Sequence, residues 1–238
     1  MTPKRPDPIK FLTGRLSDRP VPNSVLPIGP GAKFAPDGRV LPWPGNTFIC
    51  HIDPDSPQHR ALCQMQTALM ASNFAGYFTY LPASSFHMTV FQGISNGTDW
   101  PAGIPPEATL DEATDQLIQR LDGITLPRSV TVRAQGLYGG FGLTLSGASP
   151  ADEAKLRDTR TRLRDATGIQ PDDFDSYIFH ITLSYLLRWL DEAQAAEVVA
   201  LSEALFTEFG APLGQIKLGA PEFCRFENMH HFAPILHL

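Results

Sequence analysis

The 238-residue sequence predicts an α+β fold of two pseudo-symmetric lobes, each of largely antiparallel sheet, with outer helices and a central groove. Three observations carry that expectation. Hydrophobic periodicities run strand, helix, strands, helix, hairpin, helix, strand, helix, strands, without the regular alternation of a doubly wound parallel sheet. Gly139-Gly140 between two β-rich runs marks an antiparallel hairpin. A helical pattern precedes each of two strands that carry the same short motif, as two related lobes would require.

Twelve of the 22 prolines fall within residues 1–57, where fixed φ and the missing N–H suppress helix. Residues 1–45 therefore read as a proline-rich arm. It holds a small hairpin, with Lys33-Phe34 and Arg39-Val40-Leu41 flanking the turn Ala35-Pro36-Asp37-Gly38. Residues 46–238 read as one two-lobed domain. A strand is expected over 47–52, then a helix over 58–74 opened by Ser56-Pro57. Strands over 77–81 and 85–93 are rich in aromatic and β-branched residues and are separated by Pro82-Ala83-Ser84. A helix over 107–121 leads to the hairpin 130–138 and 141–145. A helix over 150–167 stops at Gly168, one strand runs over 177–187, a helix follows over 191–209, and strands over 215–219 and 222–226 close the chain.

Composition excludes several function classes. A 42% hydrophobic content supplies a sizeable core. The net charge of −6 argues against a surface that grips long nucleic acid, because such affinity depends on cationic neutralisation of phosphates. Cys50, Cys63 and Cys224 are odd in number and form no CxxC pair, so neither a disulfide framework nor a thiolate zinc site is expected, and a reducing cytoplasm fits. The N-terminal residues lack the apolar core of a signal peptide, and no segment reaches the roughly 18 apolar residues of a membrane helix. A cytoplasmic protein without a membrane partner is expected.

Chemistry is carried by a repeated motif, Phe86-His87-Met88-Thr89-Val90 and Phe179-His180-Ile181-Thr182-Leu183. Side chains alternate faces along a strand, so His87 and Thr89 share one face while Phe86, Met88 and Val90 share the other. The second copy behaves identically. Two imidazoles with unperturbed pKa near ~6.5 can act as a neutral base and a cationic acid, and two hydroxyls can hold phosphate oxygens. Neither step needs a metal or another cofactor. By the same alternation Ser85 and Phe91 join the first polar face and Ser184 the second, as candidate substrate contacts, with Phe91 a base-stacking surface. A bulge would invert those three assignments.

The pair of His-x-Thr motifs at His87, Thr89, His180 and Thr182 resembles the signature of the two-histidine (2H) phosphoesterase superfamily. That superfamily includes RNA-ligase-like proteins and cyclic phosphodiesterases acting on 2′,3′-cyclic phosphate ends. The resemblance extends over most of residues 46–226; the proline-rich arm lies outside it and marks a distinct branch. It implies that one histidine activates water while the other protonates the departing ribose oxygen, and the order of roles stays open. The expected function is metal-independent opening of a 2′,3′-cyclic phosphate or a related small cyclic phosphate, with a small nucleotide or short RNA terminus as partner. The alternatives are a noncatalytic protein that binds RNA ends or nucleotides, a 2′-5′ RNA ligase, and a zinc hydrolase.

Other features read as structural. His51, His59 and Cys63 do not converge, because neighbours Cys50 and His51 face opposite ways on a strand. His230-His231 and His237 belong to the tail. Arg157, Arg160 and Arg164 share a helical face, but Asp152, Glu153, Asp158 and Asp165 interleave them and suggest a solvated, salt-bridged surface. The glycine-rich 136–142 segment lacks the lysine of a phosphate-binding loop and is explained by the hairpin.

Overall fold

Each described α-helix begins at a side chain that accepts a backbone N–H left unpaired by the first turn. Asp7 accepts from Lys10 at the start of α1 (Pro8–Leu12), and Ser56 from His59 at α2 (Pro57–Met70). Thr109 and Glu112 form a reciprocal capping box at α3 (Leu110–Arg120). Ser149 opens α4 (Pro150–Thr167), and Asp191 with Gln194 opens α5 (Glu192–Phe209). Gly168, at φ 76°, ends α4 in the left-handed conformation. The computed structural model describes residues 4–27, 31–95, 98 and 100–238. Residues 1–3 and 28–30 of the proline-rich segment lie outside the described residues.

The described residues form ten strands: β1 (Gly45–His51), β2 (Phe78–Tyr80), β3 (His87–Ser95), β4 (Val130–Tyr138), β5 (Gly142–Gly147), β6 (His180–Thr182), β7 (Ser184–Leu186), β8 (Ile216–Leu218), β9 (Glu222–Asn228) and β10 (His231–His237). Eight form one sheet in the order β10-β9-β1-β3-β6-β5-β4-β8, and β2 pairs with β7 apart from it. Every pairing is antiparallel. The sheet thus has two four-stranded halves that meet at β3 and β6, which is the α+β architecture of two antiparallel lobes the sequence predicts. Gly139 and Gly140 turn the β4–β5 hairpin, both with positive φ.

One face of the sheet packs on the helices. Phe86, Met88, Val90, Phe179, Ile181 and Leu183 join Leu62 and Met65 of α2, Leu117 of α3, Leu163 of α4 and Leu205 of α5 in the main core. On the opposite face, Val25, Phe34 and Trp43 of the proline-rich segment pack with Ile49, Leu81, Cys224 and Phe226. The expected small hairpin is present as a single bridge between Phe34 and Val40, closed by a turn with Gly38 at φ 87°. A third cluster joins Leu12 of α1 to Leu190, Ala195 and Val198.

Three elements differ from expectation. The proline-rich segment contains α1, because Pro8 occupies the first helical turn, where its missing N–H costs nothing. The single strand over 177–187 is broken at Leu183, where the chain passes from the large sheet to the small one; Leu183 and Ser184 both donate to the Phe141 carbonyl. Residues 231–237, read as a tail, form the edge strand β10, the position in a sheet that tolerates Pro234. No described helix is long and apolar enough to cross a membrane.

Candidate active site

The seam between the two halves of the sheet is the one antiparallel pair Met88↔Ile181. Antiparallel register then sets His87 opposite Thr182 and Thr89 opposite His180, so all four side chains leave the same face, related by a local twofold. They line a cleft of about 280 Å³ on the face away from the helices. Phe86 and Phe179 anchor the other face of each motif, both 1% exposed.

The imidazoles are oriented alike. His87 Nδ1 donates to the Ser85 carbonyl at 2.6 Å and His180 Nδ1 to the Ile178 carbonyl at 2.9 Å. A carbonyl oxygen can only accept, so each Nδ1 carries the proton and each Nε2 is left for proton transfer. Burial depresses both pKa values to about 4. His87 is lowered further by neighbouring His51 and His180, and His180 by Arg5 and Lys33, while the carbonyl hydrogen bonds oppose the shift. The Thr89 and Thr182 hydroxyls make no hydrogen bond to another described residue and are free to meet a ligand.

Three expected contacts are corrected. Phe91 is fully buried and packs against Phe48 and Phe174 in the main core, so it offers no stacking surface. Its inversion comes from a bulge: Phe48 pairs with Phe91 but Ile49 with Thr89, leaving Val90 extra, and Gln92 takes the place on the cleft. Ser85 lies in a short turn with its hydroxyl donating to Pro82 at 2.7 Å; it serves the site through its carbonyl. Ser184 follows the break at Leu183 and donates to the Gly140 carbonyl at 2.7 Å, fully buried.

Sequence reasoning missed Lys33, Trp43, Tyr185 and Phe232, which also line the cleft. Lys33 stands 5.6 Å from the Tyr185 ring centroid and 5.8 Å from that of Trp43, and burial pulls its ammonium below the usual lysine range. Phe232, on the unexpected β10, packs 4.3 Å from the His87 ring. Only an isolated basic residue in an irregular segment could have signalled Lys33. His51, opposite His87 in the ladder, pairs through Nδ1 with Glu222 at 2.5 Å, and the ligand atoms of His51, Glu222 and Cys224 lie within 4.8 Å of one another. Burial pushes the Cys224 thiol up to about 12, so it is no ready thiolate. His59 contacts the Ala83 carbonyl at 3.0 Å and Cys63 at 3.6 Å, away from that group.

The arginine stripe of α4 is not a solvated face. Arg160 is 1% exposed; it donates to the Val90 carbonyl at 2.8 Å and lies 4.0 Å over the Tyr177 ring. Tyr177 in turn donates to the Thr89 carbonyl at 3.3 Å. Arg157 pairs with Glu153 and stacks on Phe179, so the stripe packs α4 onto the strands that carry the motifs.

Comparison with known proteins agrees with the motif pair. Residues 33–138 match a family model described as 2H-phosphodiest, Domain of unknown function (DUF1868), which covers the first histidine motif and supports the resemblance to two-histidine phosphoesterases. No curated protein matches the chain. The solved structure of the conserved protein of unknown function ATU0111 from Agrobacterium tumefaciens str. C58 is 28% identical, with TM-score 0.88 over 98% of this chain and 99% of its own. Usb1 of Kluyveromyces marxianus aligns over 80% of this chain and 97% of its own, at 13% identity and TM-score 0.41, a distance at which the likeness carries no argument.

Proposed function

We propose that this protein is a metal-independent phosphodiester hydrolase that opens a 2′,3′-cyclic phosphate, on a nucleotide or short RNA end, or a related small cyclic phosphate. One observation carries the reading. Two imidazoles and two hydroxyls related by a local twofold share one cleft, and both imidazoles keep Nε2 for exchange because Nδ1 is tied to a carbonyl.

In this reading the neutral histidine takes a proton from water through Nε2 as the water oxygen bonds to phosphorus. The protonated histidine gives its Nε2 proton to the ribose oxygen as the phosphorus–oxygen bond breaks, leaving a phosphomonoester. Thr89 and Thr182 donate to the nonbridging oxygens, whose charge grows on the way to the pentacoordinate state. With both pKa values near 4, the free enzyme holds two neutral imidazoles at pH 7. The bound phosphate anion favours the imidazolium that the acid step needs.

The test is hydrolysis of the four nucleoside 2′,3′-cyclic monophosphates in EDTA, with the product isomer identified by chromatography. His87→Ala and His180→Ala should each lower turnover about 10²- to 10⁴-fold with the fold intact. Rates equal to wild type in either variant would overturn the assigned roles.

A further inference from the structure

We propose that Lys33 and Arg5, both from the proline-rich N-terminal segment, form an anion site beside His180 that holds the nonbridging oxygens of a phosphate group. The inference deepens the hydrolase reading and rests on it only for the identity of the natural anion.

Lys33 lines the same cleft as His87, Thr89, His180 and Thr182. Its ammonium stands between two aromatic rings, and among the described residues no carboxylate forms an ion pair with it. Arg5 lies on the other side of His180, lining the adjoining cleft with Tyr138 and Thr144. Its Nε donates to Thr144 Oγ1 at 3.0 Å, and Thr144 is the ladder partner of His180. The guanidinium carbon lies 4.8 Å over the Tyr138 ring, and Nη2 is buried without a hydrogen-bond partner among the described residues.

A buried cationic donor left unpaired is costly, and it persists where something else supplies the acceptor. Arg5 is such a cation, and with Lys33, which lines the cleft without an acid partner among the described residues, it flanks one histidine here. Both act on the same imidazole, since Arg5 and Lys33 each help to depress His180. A phosphate oxygen fits the vacant donors: it is anionic, it accepts several hydrogen bonds, and charge-assisted bonds to it are stronger than neutral ones. A chain with net charge −6 thereby presents a local positive patch around His180, with Lys33 in its cleft and Arg5 in the adjoining one. A lysine that only sealed the segment against Trp43 and Tyr185 would bind no anion, which separates the two accounts.

The experiment is calorimetric titration of the full chain with inorganic phosphate at fixed ionic strength, comparing wild type, Lys33→Met, Lys33→Arg and Arg5→Gln, with circular dichroism to confirm folding. Wild type should bind phosphate, Lys33→Met and Arg5→Gln should each weaken it about ten-fold or more, and Lys33→Arg should retain most of the affinity. In wild type, the Lys33 ε-methylene and Arg5 Nε–H resonances should shift on phosphate addition, a signal that no folding defect imitates. Absence of phosphate binding by wild type, affinity unchanged in both charge-removing variants, or unmoved Lys33 and Arg5 resonances would each overturn the site. Phosphate binding through these residues in a protein that turns over no cyclic nucleotide would sink the hydrolase reading and leave the site standing. Turnover with phosphate-indifferent variants would do the reverse.

Discussion

His87 and His180 have like motifs and unlike surroundings. His87 packs on Phe232 and stands across from His51, whereas His180 faces the cations of Lys33 and Arg5. Removing the lysine charge should therefore raise the pKa of His180 and leave His87 nearly unmoved; His51→Asn should do the opposite. Nitrogen-15 NMR titration of the two rings reads both, and equal movement in either variant would refute this sidedness. The depressed values also fix a sign for catalysis. With both pKa values near 4, the form of the free enzyme with one protonated histidine shrinks as pH rises above that point. Accordingly kcat/KM should fall steadily between pH 5 and 8, and a maximum near pH 8 would contradict the acid–base pairing. At this scale His87, Thr89, His180 and Thr182 were legible because strand alternation is a strict rule. Phe91 was misread because one extra residue, Val90, reverses that rule locally, and nothing in the sequence marks it. Lys33 and Arg5 were invisible, since an irregular segment has no periodicity from which to infer where its side chains go.

Helix α4 holds the motif strands in place through Arg160, whose guanidinium bonds to carbonyls of Val90 on β3 and Phe174 before β6. A buried cation that serves two carbonyls and stacks on Tyr177 cannot be shortened without leaving those acceptors unmet. Arg160→Met, which keeps most of the volume, should destabilise the fold by about 2–4 kcal/mol, read from urea denaturation. It should also raise KM or lower kcat in the folded fraction, because the Val90 bulge sets where Thr89 points. A variant as stable as wild type would remove Arg160 from this role. The helices were the most legible elements, for the caps Ser56, Ser149 and Asp191 and the stop at Gly168 are local chemistry written in sequence order. The break at Leu183 was not legible, because both halves of 177–187 have strand composition and only tertiary pairing with Phe141 and Leu81 divides them. Strand β10 was hidden by its proline and histidines, which suit an edge that borrows its hydrogen bonds from β9.

Across the whole molecule the site is built against stability in acid. The doubled motif made the two-lobed sheet legible, but not that the lobes join as one continuous sheet with the histidines beside their seam and the N-terminal segment packed over the same face. Burial in the cleft desolvates both imidazoles, so the native protein resists protonating them until about pH 4, while the unfolded chain protonates its histidines near ~6.5. Between those values the unfolded state binds more protons than the native one, so stability rises with pH there and is lost progressively as pH falls from about 6.5 toward about 4. Carboxylates also titrate near the lower end, but they are common to wild type and to a His87→Asn/His180→Asn variant. The difference between the two urea midpoints, followed from pH 7.5 to 4.5, therefore isolates the histidine share. We expect the wild-type midpoint to drop more steeply than the variant's below pH 6.5, and parallel curves would show that the pair is not held neutral by the fold. Saturating phosphate should flatten the wild-type curve, because an anion bound at His180 offsets the cost of charging that imidazole.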